Sequence, residues 1–229
     1  VGYVSATNMT ITISESTNFG NIKGGFGWYG IGGFVGLIQE SPNVTMTIAN
    51  STNNGSVTGS YGVGGFFGRV FHNTNMTMTI ANSINNGSIH GNNQYVGGFV
   101  GDISGNTNIT LTISNSTNNG NVVGKRKFVG GLVGEIYSNM NITMKISNST
   151  NNGAVFGNRL FVGGFIGYID TNNSMAMTIS NSVNNGNVIG TYGYVGGFIG
   201  YVSSSQTDYI ALEITNSANK DSVSSTNGM

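Results

Sequence analysis

Residues 97–101 read Gly-Gly-Phe-Val-Gly, and five near-copies of that block decide how this chain folds. The copies begin at Gly32, Gly64, Gly130, Gly163 and Gly196, so successive blocks lie 32, 33, 33, 33 and 33 residues apart. A second block, Asn-Asn-Gly, keeps the same register and ends at Gly55, Gly87, Gly120, Gly153 and Gly186, with Asn18-Phe19-Gly20 as an earlier variant. A fixed period of about 20–50 residues marks a repeat architecture, in which each unit buries its apolar face only by stacking on the next. The first full unit carries about three extra residues around Gly25 to Trp28.

Working outward from the glycine block, each unit holds three strand-like segments. The first alternates strictly: Ile109, Leu111 and Ile113 are separated by Thr110 and Thr112, and the pattern recurs from Met9/Ile11/Ile13 to Ile210/Leu212/Ile214. Period-2 alternation is the signature of a half-buried strand. The second is short, an apolar residue just after the Asn-Asn-Gly turn: Val57, Ile89, Val122, Val155, Val188. The third is the glycine block itself, preceded by an aromatic residue and a valine, as in Tyr95-Val96 and Phe128-Val129. Asn and Gly tolerate positive φ, so the connections are turns.

The expected architecture is therefore an all-β solenoid, a parallel β-helix with about 33 residues and three short strands per coil. Coils stacked about 4.8 Å apart place equivalent residues above one another. A hairpin-like propeller or sandwich blade competes, but the near-constant register and the single proline favour the solenoid. Residues 1–229 then form one repeat domain of about seven coils, with 1–20 a partial first coil and 217–229 a degenerate C-terminal tail or cap. Val1-Gly2-Tyr3-Val4 matches the middle of the repeat, as in Ile166-Gly167-Tyr168-Ile169, which suggests a piece of a longer precursor.

One strand resists simple alternation. In 96–103, period 2 puts Val100 on the face of Asp102, whose column reads Leu37, Arg69, Asp102, Glu135, Tyr168, Tyr201 and so is expected to face solvent. Yet the column of Val35, Phe67, Val100, Val133, Ile166 and Ile199 is apolar throughout. Either the glycine pair carries a bulge that resets the phase, the strand is covered on both sides, or this column is an exposed stripe for contact with a partner.

Composition narrows the function. Only 7% of residues are charged, the formal net charge is zero and 38% are hydrophobic. An electrostatic fit to nucleic acid is not expected, and no apolar run is long enough for a membrane span. With no cysteine there are no disulfides or thiolate metal sites;. The carboxylates Asp102, Glu135, Asp170 and Asp208 and the histidines His72 and His90 form no nucleophile–base–orienter motif;. They read as solvated groups, so neither enzymatic activity, nor a cofactor, nor a metal site is expected.

The block Gly130-Gly131-Leu132-Val133-Gly134, with Asn119-Gly120-Asn121-Val122-Val123-Gly124 before it, resembles the GLUG repeat. That repeat occurs in large secreted and surface proteins, including adhesins and regions outside the catalytic domain of some surface peptidases. Phe replaces Leu in five of the six copies, and the Thr-rich strand lies outside the motif. The resemblance implies a surface-exposed repeat module and carries over no catalytic residue.

Several outward features stay open. Eleven Asn-x-Ser/Thr sequons include Asn43, Asn75, Asn108 and Asn141, placed for glycosylation just before the Thr strand;. The persistent column Asn50, Asn82, Asn115, Asn148, Asn181, Asn216 suggests stacked amides;. Thr10/Thr12, Thr45/Thr47, Thr77/Thr79 and Thr110/Thr112 could order water as an ice-binding ladder, but the pattern breaks at Thr143/Lys145. Tyr95, Phe128, Phe161 and Tyr194 form an aromatic strip that could stack on carbohydrate or pack a turn. Lys125-Arg126-Lys127 and Arg159 form a basic spot, read as solvated;.

The leading expectation is a non-catalytic structural repeat protein, extracellular or at the cell surface, that self-associates into fibres or a surface layer or belongs to a longer repeat array. The alternatives are an adhesin or stalk that binds glycans or a host surface, and an ice-binding solenoid.

Overall fold

The computed structural model describes residues 1–25, 27, 29–171, 173–204 and 209–226. Trp28, Asn172, Asp208 and the last three residues, all touched on above, lie outside the described residues.

The chain is an all-β solenoid of about seven coils in which every pairing between successive coils is parallel. One coil shows the pattern: Val100–Ser104, Thr107–Ser114, Thr117–Asn118, Val122–Gly124 and Val129–Gly130. Each of these five strands stacks on its equivalents in adjacent coils, building sheets I to V in that order. In the next coil the single strand Val133–Ser147 runs through both sheet I and sheet II. Five strands per coil replace the expected three. Two residues of the Asn-Asn-Gly approach form a strand of their own, and the glycine block divides between sheets V and I. The extra residues of the first unit fall where expected: Ile22 pairs with Val57, 35 residues on, whereas Tyr29 pairs with Tyr61, 32 residues on.

The glycine block divides because backbone meets backbone there. A Cβ on Gly97 would lie 2.0 Å from the Val100 carbonyl oxygen, and one on Gly98 would lie 2.1 Å from that of Gly131. The chain turns sharply at this corner and the phase resets. Val100 and Ile103, three residues apart, both enter the same core, which strict alternation forbids;. The apolar stripe is thereby explained: Val35, Phe67, Val100, Val133 and Ile166 are fully buried and Ile199 is half-buried. They are core residues and offer no contact surface.

Two cores run the length of the rod. The larger lies between sheets I and II and holds the Met/Ile/Leu face of the Thr strand with Phe66, Phe99 and Phe165. The smaller holds the valines of sheets IV and V, such as Val122 and Val129. Beside them run polar ladders. The first asparagine of each Asn-Asn-Gly is buried: Asn118 Nδ2 donates to Asn151 Oδ1 of the next coil (2.7 Å) and to the Gly120 carbonyl (2.9 Å). The same pair of bonds recurs at Asn53, Asn85, Asn151 and Asn184. Buried amides with their partners in place hold neighbouring coils in one register.

The column Asn50, Asn82, Asn115, Asn148, Asn181 and Asn216 has a different cause from the expected amide stack. All six sit at a corner with φ of 48–49°, and among the described residues no side-chain bond joins them. Asn is chosen there because it tolerates the left-handed backbone.

Candidate functional site

The site with the most unusual chemistry is one expected to be solvated. Sheet I carries the outward column Arg69, Asp102, Glu135, Tyr168, Tyr201 on successive coils. Asp102 is 0% exposed and Glu135 only 4%. What covers them comes from the corner that precedes sheet V. Tyr95, Phe128 and Phe161 have φ of 64–66°, where a bulky residue is a true outlier;. Phe128 and Phe161 hold their rings against Tyr168, at centroid distances of 4.7 and 4.9 Å. Such backbone strain costs about 1–3 kcal/mol per residue and persists only where packing over-determines it. Here the packing is the ring stack itself: Tyr95–Phe128, Phe128–Phe161 and Phe161–Tyr194 lie 5.4–5.5 Å apart and within 10° of parallel.

Beneath that lid the charges are arranged in sequence. Arg69 Nε donates to Asp102 Oδ2 at 2.5 Å, and the Ser104 hydroxyl donates to the same oxygen at 3.0 Å. The Arg69 guanidinium lies 3.9 Å from the Phe71 ring centroid, and Phe71 stacks on His72 at 3.7 Å. Asp102 Oδ1 is buried and faces no amide, guanidinium or hydroxyl donor. Glu135 is its neighbour in the column on the next coil. Burial first, then the charge of Asp102, pushes the Glu135 carboxyl up to about 9;. Burial also raises Asp102, opposed there by Arg69 and Ser104. The two carboxyls therefore hold a proton between them at neutral pH;. Nearby, the Tyr168 hydroxyl donates to Asp170 Oδ2 at 3.0 Å, and burial raises the phenols of Tyr95 and Tyr168.

This cluster ties three adjacent coils together and stores a proton. A cavity of about 200 Å³ beside it is lined by Arg69, His72, Tyr95, Glu135 and Tyr137, among others. Asp102 has no exposed surface, whereas Glu135 reaches the cavity wall. Among the described residues no group of three or more His, Cys, Asp or Glu could hold a metal ion. The available sequence signal was an Arg, an Asp and a Glu at one column position in consecutive coils, a spacing that stacks them.

The remaining candidates are placed as follows. In the strip of Tyr95, Phe128, Phe161 and Tyr194, ring faces turn toward one another, so a sugar meets mainly ring edges. Asn43, Asn75, Asn108 and Asn141 are exposed, each donating its amide to the asparagine one coil back at 2.9–3.1 Å. The threonine pairs are in register from Thr10/Thr12 to Thr110/Thr112, after which Lys145 stands opposite Thr112. Lys125, Arg126 and Arg159 are exposed on the loop that leads from sheet IV to sheet V.

No family model and no curated protein matches this chain. Among solved structures, a Bacteroides ovatus protein named "putative immunoglobulin A1 protease" is similar over 96% of this chain and 77% of its own, at 17% identity and a TM-score of 0.52. At that identity the likeness is one of fold.

Proposed function

We propose that this chain is a non-catalytic structural repeat module, extracellular or at a cell surface, acting as a stiff spacer within an assembly or a longer repeat array. The observation that carries this reading is the continuity of the buried asparagine ladder from Asn18 to Asn219, unbroken through all seven coils. Each coil presents the same donors and acceptors to the next, so the rod resists bending between coils, and one rise of about 4.8 Å is added per repeat. The resemblance to GLUG repeats of secreted and surface proteins supports the same reading. Glycosylation at Asn43, Asn75, Asn108 or Asn141 belongs with it, since all four are exposed.

A spacer must tolerate loss of a whole coil. Deleting 163–195, one period of 33 residues, joins Val162 to Gly196, the position that Gly163 holds now. The shortened chain is expected to fold, with scattering that reports a rod about 5 Å shorter. Collapse of the fold on removal of one coil would sink the reading. Electron microscopy over rising concentration separates the assembly branch, which requires filaments or sheets, from the single-rod branch.

A further inference from the structure

The chain is neutral overall, but its cations are not spread evenly. Lys23, Lys125, Arg126, Lys127 and Arg159 are five of its eight Lys and Arg residues, and all lie on the side of the rod formed by sheet IV and the loop after it. The first six stretches that make this side, 18–27, 53–62, 85–95, 118–128, 151–161 and 184–194, contain no Asp or Glu, and Asp221 enters only in the last coil, beside Lys220. Among the described residues the one salt bridge is Arg69–Asp102, so none of these five cations is neutralised by a carboxylate. They fall at two places along the rod, Lys23 in the first coil and the other four in the fourth and fifth. Lys23, Thr58, His90 and Val123 stack as one column of sheet IV. The hydrogen bond from Asn158 to the Gly124 carbonyl sets Arg159 over Arg126 on the next coil.

The surface between these cations is concave. A hollow of about 380 Å³ is lined by Ser56, Thr58, His90, Asn92, Val123 and Lys125. A second, of about 280 Å³, is lined by Lys23, Ser60 and again Thr58 and Asn92. The shared residues join the two into a trough along the rod axis. From Lys23 to Lys125 it spans three coil rises, about 14 Å, with Arg126 on the same loop as Lys125 and Arg159 one coil further on;.

We propose that this trough binds a linear acidic polysaccharide, its anionic groups held by Lys23 and Lys125 in the trough and by Arg126 and Arg159 beside its end, and its hydroxyls by Thr58, His90 and Asn92. Charge complementarity selects a polyanion, because a row of unpaired cations without nearby carboxylates attracts one along its length. The lining selects a sugar over other polyanions. Single-stranded nucleic acid needs aromatic faces on which bases stack, and no Phe, Tyr or Trp lines either hollow;. A concave, hydroxyl- and amide-lined strip also suits a chain better than the plane of a bilayer. The inference stands or falls independently of the spacer reading, which rests on the buried ladders.

Isothermal titration of the full chain tests it with four probes of similar length: a sulfated heparin oligosaccharide, an oligogalacturonate, a neutral dextran and a single-stranded oligonucleotide. Binding is expected for at least one acidic saccharide, and which one separates sulfate from carboxylate recognition. The variant Lys125→Gln/Arg126→Gln/Arg159→Gln should bind at least about tenfold more weakly, with a log–log salt slope shallower by about one per cation removed between about 50 and 200 mM salt. Lys145→Gln, on the exposed face of sheet II, should bind as the parent does. No binding of either acidic saccharide, equal binding of dextran, tighter binding of the oligonucleotide, or an unaltered triple variant with a parent-like circular dichroism spectrum would overturn the proposal.

Discussion

Replacing Glu135 by Gln tests the buried acid cluster directly. The carboxyl of Glu135 lies above its ordinary 4.5, at about 9, with burial the main cause. Below pH 4.5 the folded and unfolded chains both carry this proton. Between there and about pH 9 the unfolded chain has lost it while the folded chain keeps it, so folding takes up a proton and stability falls as pH rises. The slope over that interval is about 1.4 kcal/mol per pH unit;. That is an upper bound, because local opening of the coils around Glu135 relieves the penalty without global unfolding. Gln keeps the shape but has no proton to lose. Urea denaturation followed by circular dichroism should give a parent whose midpoint drops from pH 5 to pH 9. The Glu135→Gln variant should have a much flatter profile and be the more stable protein near pH 8. A parent midpoint that rises over that range, or a variant with the same slope as the parent, would refute the proton assignment.

Two further outcomes follow from the ladders. Asn118→Ala removes a buried amide that bridges two coils, leaving Asn85 and Asn151 without a partner on one side. It should cost about 2–4 kcal/mol, while Asn119→Ala in the exposed ladder one residue on should cost less than about 1 kcal/mol in the same urea titration;. At Asn115, with φ of 49°, a change to Gly should be nearly neutral and a change to Val should cost at least about 1–2 kcal/mol, read as the shift in thermal midpoint;. Equal effects of Gly and Val would return that column to a side-chain role.

Much of this could be read in advance, because a repeat announces its own geometry. The spacing of the Gly-Gly blocks implied stacked coils, and the Met/Ile alternation named the inner face of sheet II before any coordinate. The surplus of Asn-Asn-Gly located the turns. What stayed hidden depends on residues that meet at corners. The strand around Val100 was ambiguous because alternation is a local rule, and the phase reset arises where the Gly97 and Gly98 backbones press on Val100 and on the next coil. The burial of Asp102 was invisible for a similar reason. Its own strand points it outward, and the rings that cover it come from a corner whose left-handed backbone no composition or period reveals.

The sequence by itself determined the period, the parallel stacking and the columns, since all three are properties of a 33-residue register that the chain repeats. Only the tertiary structure decided which columns see water. Asp102 and Glu135 went inside because the neighbouring corner at Tyr95 packs against their strands. Lys23 and Lys125, far apart in sequence, came to line one trough because the coils between them stack in register. Exposure belongs to the packing of several strands at once, and no single strand carries it.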